Sequence, residues 1–483
     1  MSFPHITLSD VFLVVQWISL FYFLGMYGGY LMLNLLSVIS IIKYMPSHTV
    51  EAMPKVYTDL EIPVSVLVPA YNEQETIATS VNALLQMTYP EYEIVVVNDG
   101  SKDKTLDALM THFALVPVPE TVRVRIKTKR IKTIYQSTIY PNLRVIDKDN
   151  GGKADSLNAG INAARYPLFC GVDADSILQP NSLERIVQPF IEDSTTVASG
   201  GTVRIANGCD VRKGFLVKPG LPKNILALFQ VAEYLRAFLF GRLGWSPLNA
   251  LLIISGAFGV FHKETVISVG GYRTDCIGED MELIVRMHRI LRQQKRKYKI
   301  TFVPDPICWT EAPEDMATLR KQRIRWHRGL SESLTKNISL MFHPRGGAVG
   351  WIAFPYMLIF EWLGPIVEIM GLVSMGLGFY FGYIPKEIFV LFLFIAIGFG
   401  VLLSVIAILL EEISFHIYPK ASYMIVLFFV TIIENFGYRQ LNMIWRSIAL
   451  FQWAIGSQAK WGDMKRKGSE DSEATAIQPN KSG

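Results

Sequence analysis

The chain has 483 residues, 50% of them hydrophobic and 18% charged, with a formal net charge of +5 and a mean hydropathy of +0.28. It is too apolar for an ordinary soluble protein and too charged for a wholly transmembrane one, so a soluble unit and membrane spans are both expected. So small a net charge excludes a broad nucleic-acid-binding face, and the basic residues instead cluster beside apolar runs.

Residues 11–42 form an apolar run longer than the roughly 20 residues needed to cross hydrocarbon, and too long for a signal-peptide core. It reads as a retained anchor within an N-terminal segment, residues 1–45. Lys43 and Lys55 follow the run and nothing basic precedes it, which predicts the N-terminus outside and the middle of the chain in the cytoplasm.

Residues 46–335 read as a cytoplasmic domain in which short β-branched runs alternate with amphipathic stretches. Strands are predicted at 64–68, 93–97, 143–146, 168–172 and 300–303, and a helix over 75–86 with Ile77, Val81, Leu84 and Leu85 on one face. This alternation predicts a Rossmann-like α/β, mostly parallel sheet covered on both faces, with ligand-binding loops at the carboxyl ends of its strands. Cys170, Cys209, Cys276 and Cys308 lie far apart with no metal-ligand spacing, which fits a reduced compartment.

Residues 336–460 turn apolar again, at 350–383, 388–410 and 423–455. The middle run is long enough to span. The first carries Glu361, Pro365 and Glu368, and the last Glu434, Asn435, Arg439 and Arg446, so both are expected to include interfacial or re-entrant pieces. Residues 461–483 read as a basic, then polar and disordered, cytoplasmic tail, which requires an even number of crossings after the soluble domain. The whole is a multi-pass protein of the cell (inner) membrane in contact with its lipids.

Polar turns end the predicted strands. Tyr71, Asn72 and Glu73 follow the first, and Asp99, Gly100 and Ser101 the second, where an open sheet holds a nucleotide; taken singly, such turns are ordinary loop chemistry. Asp173-Ala174-Asp175 follows the fourth, and two carboxylates two residues apart in an extended segment point to one side. Such paired hard oxygen ligands suit Mg2+ or Mn2+ shared with a diphosphate, whereas an isolated pair more often caps a helix. Gly151-Gly152-Lys153 offers backbone N–H groups and an ammonium to phosphate at a helix entry, or makes a plain turn. Gly278-Glu279-Asp280 opens a helix, where acids cap by default but where a carboxylate can also serve as general base. Gln322, Arg325 and Trp326 share a helical face: an amide and a guanidinium suit a leaving diphosphate, and an indole suits a sugar ring. With Arg320, Lys321, Arg323 and Arg328, the same helix is equally a juxtamembrane basic segment attracted to anionic lipid.

In order, Tyr71-Asn72-Glu73, Asp99-Gly100, Gly152-Lys153-Ala154, Asp173-Ala174-Asp175, Ser255-Gly256-Ala257-Phe258, Gly278-Glu279-Asp280 and Gln322-Arg323-Ile324-Arg325-Trp326 resemble the motifs of processive family 2 glycosyltransferases, the group of cellulose, hyaluronan and poly-N-acetylglucosamine synthases, in its bacterial membrane form. The resemblance covers residues 62–328 by motif. It implies a GT-A fold and an inverting, metal-dependent transfer from a UDP-sugar donor to a growing polysaccharide acceptor. It further implies that Tyr71, Glu73 and Asp99 hold the nucleoside, that Lys153 lies near the nucleotide, and that Asp173 and Asp175 bind the metal, Asp175 directly. Asp280 would be the base beside Glu279. Gln322, Arg323 and Arg325 would stabilise the diphosphate, Trp326 would stack on the acceptor, and Ser255, Gly256 and Phe258 would line the acceptor site.

Two features depart from the group: Gly278 stands where Thr or Ser is usual, and the connection between His112 and Leu143 is long and basic, with Arg123, Arg125, Lys127, Lys129, Arg130 and Lys132, reading as a solvated hairpin. No cyclic-dinucleotide-binding domain follows the membrane region, so regulation through one in this chain is not expected. The rival readings are transfer of a single sugar to a lipid carrier, and a sensor that only binds nucleotide sugar; replaceable carboxylates at 173, 175 and 280 would mark the latter. Neither the sugar nor any export or modification partner is encoded in these motifs.

Overall fold

The computed structural model describes residues 8–48, 61–418 and 420–457, so Lys55 and the expected tail 461–483 lie outside the described residues. The strands are, in chain order, β1 (Val64–Ala70), β2 (Tyr92–Asn98), β3 (Leu115–Val118), β4 (Ile131–Ser137), β5 (Leu143–Lys148), β6 (Leu168–Val172), β7 (Ile177–Leu178), β8 (Thr196–Ile205), β9 (Asp210–Arg212), β10 (Phe215–Lys218), β11 (Phe258–His262) and β12 (Lys299–Thr310). Ten of them form one sheet in the order β3-β4-β5-β2-β1-β6-β11-β8-β12-β7, and β9 and β10 pair by themselves. The contiguous group β5-β2-β1-β6 is parallel.

β1 and β2 are nearly continuous Val/Ile/Leu runs buried along their length, as strands covered on both faces must be. The helix Ile77–Leu84 buries Ile77, Val81 and Leu84 in the same hydrophobic core. The helix Lys153–Ala163 approaches so closely that a Cβ on Gly160 would stand 3.2 Å from the Leu67 side chain. The basic connection forms the antiparallel pair β3 and β4 at one edge, where Arg125 reaches Glu264 and Lys132 lies near Asp147 and Asp149.

β8 and β11 were not among the expected strands, yet they join the halves of the sheet. β11 runs antiparallel to both β6 and β8. In β8, Gly200 and Gly201 interrupt the apolar pattern because bulk arrives from neighbours: added Cβ atoms would meet Ile254 at 3.0 Å and Phe258 at 2.7 Å respectively.

Two helices, Asp10–Tyr44 and Lys386–Phe415, are long and apolar enough to cross a membrane. Two further pairs, Val349–Trp362 with Gly364–Tyr380 and Ala421–Ile433 with Tyr438–Ala454, pass the same test but bend by 47° and 56°. These are the acid- and Arg-bearing runs, and the bends fall at Leu363 and at 434–437. Polar contacts tie the apolar helices to the rest of the chain: Arg204 of β8 pairs with Glu411, Arg236 pairs with Glu434, and Glu233, itself paired with Arg323, accepts from the Tyr438 hydroxyl at 3.0 Å.

Within the sheet domain, His288 is fully buried. Its Nε2–H donates to the Leu251 carbonyl at 2.9 Å and its Nδ1 accepts from the Tyr298 hydroxyl at 2.6 Å, an arrangement that needs the neutral ring. Burial, with Arg292 nearby, pushes its pKa down to about 4. A depressed imidazole contributes stability that is complete above the unfolded value near 6.5 and is lost as pH falls toward about 4, a loss of about 2–3 kcal/mol. The thermal midpoint in detergent is therefore expected to fall between neutral pH and pH about 5. The fall should be smaller in His288→Gln, which can keep both hydrogen bonds; equal falls in the two proteins would refute the assignment.

Candidate active site

The carboxyl ends of β1, β2 and β6 face one edge of the sheet, and the predicted turns meet there. Asn72 adopts a left-handed φ of 56°. Its N–H donates to Ser101 Oγ at 3.1 Å while its side-chain oxygen accepts from Lys102 N at 2.9 Å. The Glu73 N–H donates to Thr105 Oγ1 at 2.9 Å, so the two turns are laced into one rim, with Tyr71 exposed upon it.

Asp99 is enclosed. Its carboxylate meets Lys148 Nζ at 2.5 Å and accepts from the backbone N–H groups of Gly151 at 3.0 Å and Gly152 at 2.7 Å. Lys148 is completely buried and also meets Asp155 at 2.7 Å. Gly152 takes a φ of 86°, a conformation a side chain would strain, and delivers Lys153 as the first residue of its helix. In this structure Asp99 therefore builds the glycine turn rather than presenting a free carboxylate to a nucleoside. Lys148 was missed by sequence reasoning, since a lysine at a strand end gives no sign that two acids elsewhere will enclose it.

Lys153 is the meeting point of four segments. Its ammonium lies 2.5 Å from Asp173, 3.8 Å from Glu279 and 3.3 Å from the Gly256 carbonyl, which accepts its hydrogen bond. Burial alone would lower its pKa, but Asp173, Glu279 and Asp280 outweigh this and raise it. The Gly256 N–H donates to Asp280 Oδ2 at 3.1 Å, and the Met281 N–H to Asp280 Oδ1 at 2.8 Å. Glu279 is buried, and burial, opposed by Lys153 and reinforced by Asp280, pushes its pKa up to about 7. Asp280 is half-buried and Glu279 enclosed, so the two adjacent acids sit in different environments. A cavity beside them is lined by Ser255, Gly256, Leu157 and Tyr272.

Phe258 departs from its expected place. It is the first residue of β11, fully buried, with its ring over Gly201, so it is a core residue and does not line an acceptor site. Ser255 and Gly256 do border the cavity.

The helix Met316–Lys336 carries the last motif. Trp326 stays 42% exposed, Arg325 is half-buried, and Gln322 is buried with its side-chain oxygen unpartnered among the described residues. Arg323 differs from expectation: Glu233 holds it bidentately at 2.6 and 2.8 Å, and its guanidinium stacks 4.7 Å from the Trp326 ring. Its charge is already neutralised by a neighbouring helix.

The unusual Gly278 has a steric cause. A Cβ there would lie 2.9 Å from the Gly329 Cα, and the reverse holds for Gly329, so the turn bearing Glu279 and Asp280 lies backbone to backbone on the Trp326 helix.

Two family models match: "Glycosyl transferase family 2" over residues 65–223 and "Glycosyl transferase family group 2" over residues 169–455. The second spans more than half of the chain. The chain belongs to this glycosyltransferase family. Poly-beta-1,6-N-acetyl-D-glucosamine synthase of Staphylococcus aureus (strain N315) is 30% identical over 318 residues, 65% of this chain and 64% of the relative. The synthase of the same name from Staphylococcus epidermidis is 28% identical over 275 residues, 57% of this chain and 56% of the relative. The matches thus span less than two thirds of these relatives' lengths. Among solved structures, a mannosyltransferase from Pyrobaculum calidifontis in complex with GDP-Man and Mn2+ superposes with a TM-score of 0.52 at 18% identity, covering 88% of this chain and 99% of that one. The glycosyltransferase shares that protein's fold, GT-A.

Gly278→Ser restores a hydroxyl residue to this glycosyltransferase at the cost of a backbone clash. It is expected to lose about 1–3 kcal/mol of stability, read as a lower thermal midpoint, and to slow transfer by about 10- to 100-fold as Asp280 shifts. A fully active, equally stable Gly278→Ser protein would exclude the close contact.

Proposed function

We propose that the protein is a processive, inverting membrane synthase that moves a sugar from a UDP-sugar onto the growing end of a cell-envelope polysaccharide. The observation that carries this reading is the convergence of Lys153, Asp173, Glu279 and Asp280 at the carboxyl edge of the sheet, on a turn that rests against the helix bearing the exposed Trp326, which in turn packs on the apolar helix Tyr438–Ala454. The names of the staphylococcal relatives agree with it.

Tyr71 and Glu73 form the nucleoside rim, with Asp99 shaping the glycine turn from beneath. Lys153 faces the diphosphate from the helix start. Asp173 and Asp175 fit a hard divalent ion, Mg2+ or Mn2+: they are paired carboxylates at a strand end, and Asp173 already draws an ammonium into contact. Among the described residues no three His, Cys, Asp or Glu side chains cluster as a metal site, so the diphosphate and water would supply the remaining ligands. The ion would neutralise charge on the leaving diphosphate.

Asp280, fixed by the Gly256 and Met281 N–H groups, takes the proton from the acceptor hydroxyl as that oxygen attacks the anomeric carbon in a single displacement. Gln322 and Arg325 stabilise the departing diphosphate, and Trp326 gives the acceptor ring its apolar platform. The catalytic domain lies in the cytoplasm and the chain crosses the cell membrane several times, consistent with Lys43 after the first span and the apolar runs beyond residue 349.

The test is purified protein in detergent with Mg2+ or Mn2+ and radiolabelled UDP-glucose, UDP-N-acetylglucosamine or GDP-mannose. Polymer from a UDP-sugar is expected, abolished by chelation and reduced at least about 1,000-fold in Asp280→Asn, which should still bind UDP. A single-sugar lipid product would replace processive synthesis with lipid-carrier transfer, and donor binding without transfer would overturn the enzymatic reading.

A further inference from the structure

Four buried guanidinium groups have carboxylate partners, Arg144 with Glu93, Arg204 with Glu411, Arg286 with Glu282 and Arg323 with Glu233, and buried Arg328 donates to the Ser457 carbonyl. Arg242 breaks the pattern. Among the described residues no ion pair or side-chain hydrogen bond reaches it, and its Nη1 is sealed from solvent without a partner. It lies flat on the Phe238 ring, 3.7 Å from the centroid. Cation–π stacking recovers only part of what is lost when a guanidinium N–H is sealed from water without an acceptor. Such an imbalance persists where a ligand completes the site.

Its position indicates which ligand. Arg242 follows a π-helical turn, Arg236–Phe240, that prolongs the helix Ile225–Leu235. π-Turns of this kind recur at functional sites. This one sets up a line of rings: Trp326 to Tyr234 at 6.5 Å, Tyr234 to Phe238 at 5.6 Å, and Phe238 beneath Arg242. Asp280 is the carboxylate that acts on Arg242 electrostatically. A guanidinium stacked on a ring presents its N–H edge sideways, along the strip of rings that begins at the exposed tryptophan.

We propose that Arg242 is an acceptor-binding residue, whose guanidinium donates hydrogen bonds to oxygen atoms of the sugar lying along Trp326 and Tyr234 and so holds the attacking hydroxyl toward Asp280. This rests on the glycan-synthase reading above. It assigns to the segment 234–242 a role that none of the sequence motifs contains.

The experiment compares wild type with Arg242→Gln, Arg242→Met and Arg242→Lys, each as the full chain in detergent. Three quantities are read: UDP affinity, sugar transfer from the donor that wild type uses, and thermal midpoint. Transfer by Arg242→Gln and Arg242→Met should fall about 30-fold or more, the effect of losing about two charge-assisted hydrogen bonds. UDP affinity should stay within about twofold, well under the tenfold that each 1.4 kcal/mol would bring. Arg242→Lys should recover part of the transfer, since it keeps the charge without the planar fork. The thermal midpoint of Arg242→Met should rise, because a ligand-free protein is relieved of a guanidinium nitrogen sealed from water without a partner; a purely structural arginine would lower it. Undiminished transfer, a lowered midpoint, or UDP affinity falling in step with transfer would each overturn the proposal, the last by moving Arg242 to the diphosphate. Wild type separates the two levels: no transfer from any donor refutes the synthase reading, whereas wild-type polymer with an equally active Arg242→Gln refutes only this inference.

Discussion

Three carboxylates crowd one ammonium at the edge of this sheet, and the arrangement of the site follows from that. Like charges about 4 Å apart cost about 4 kcal/mol at the effective dielectric of a protein surface, so Asp173, Glu279 and Asp280 need Lys153 or another cation among them. Lys153 can stand there because Gly152 turns the chain through a left-handed conformation, and Gly152 is held by Asp99, itself held by the buried Lys148. A salt bridge two segments removed from the reacting atoms thus sets where the lysine points. Environment also separates the acids: burial, reinforced by Asp280 and opposed by Lys153, raises the pKa of enclosed Glu279, while two backbone N–H donors hold Asp280 in the conformation that the proposed base needs.

The site is assembled across elements that also belong to the membrane region. Gly278 rests on Gly329, so the turn with Asp280 and the helix with Trp326 move as one. That helix is joined through Arg323 and Glu233 to Tyr438, on one arm of a bent pair of apolar helices. Arg204 of β8 meets Glu411 of the Lys386–Phe415 helix with both side chains buried. Ion pairs so buried add little net stability, but breaking one leaves an uncompensated charge at a cost of about 3–5 kcal/mol. They therefore resist displacement of the catalytic domain over the helices, and the site and the membrane face keep a fixed relation.

How much of this was legible in the sequence depended on whether a residue's role is local. The parallel strands declared themselves through unbroken β-branched runs, and both straight apolar helices through length and hydropathy. The acid- and Arg-bearing runs were expected to be irregular, and they bend. β8 was hidden because Gly200 and Gly201 erase the apolar signal where Ile254 and Phe258 supply the bulk from elsewhere. Phe258 lay within a recognisable motif, but the pleat of β11 turns it into the core, and neither motif nor spacing reports which face a strand residue takes until its neighbours are known.

Charge pairing was the least legible property of all. Arg323 and Arg242 are alike as letters in a sequence, and the motif favoured the first as the free cation. Glu233, on the helix Ile225–Leu235, neutralises Arg323, while one π-helical turn further on the chain leaves Arg242 stacked on Phe238 with no counter-charge. The distinction lies 90 residues away in sequence from Arg323 and depends on a tertiary contact between two helices. Both arginines border the line of rings that starts at Trp326, one beneath it as a neutralised support and one at its end as an open valence. On the proposed synthase reading, a polymer sliding along rings needs contacts that are strong enough to orient a hydroxyl and weak enough to release it, and a guanidinium without a counter-charge at the end of a line of aromatic rings has that balance.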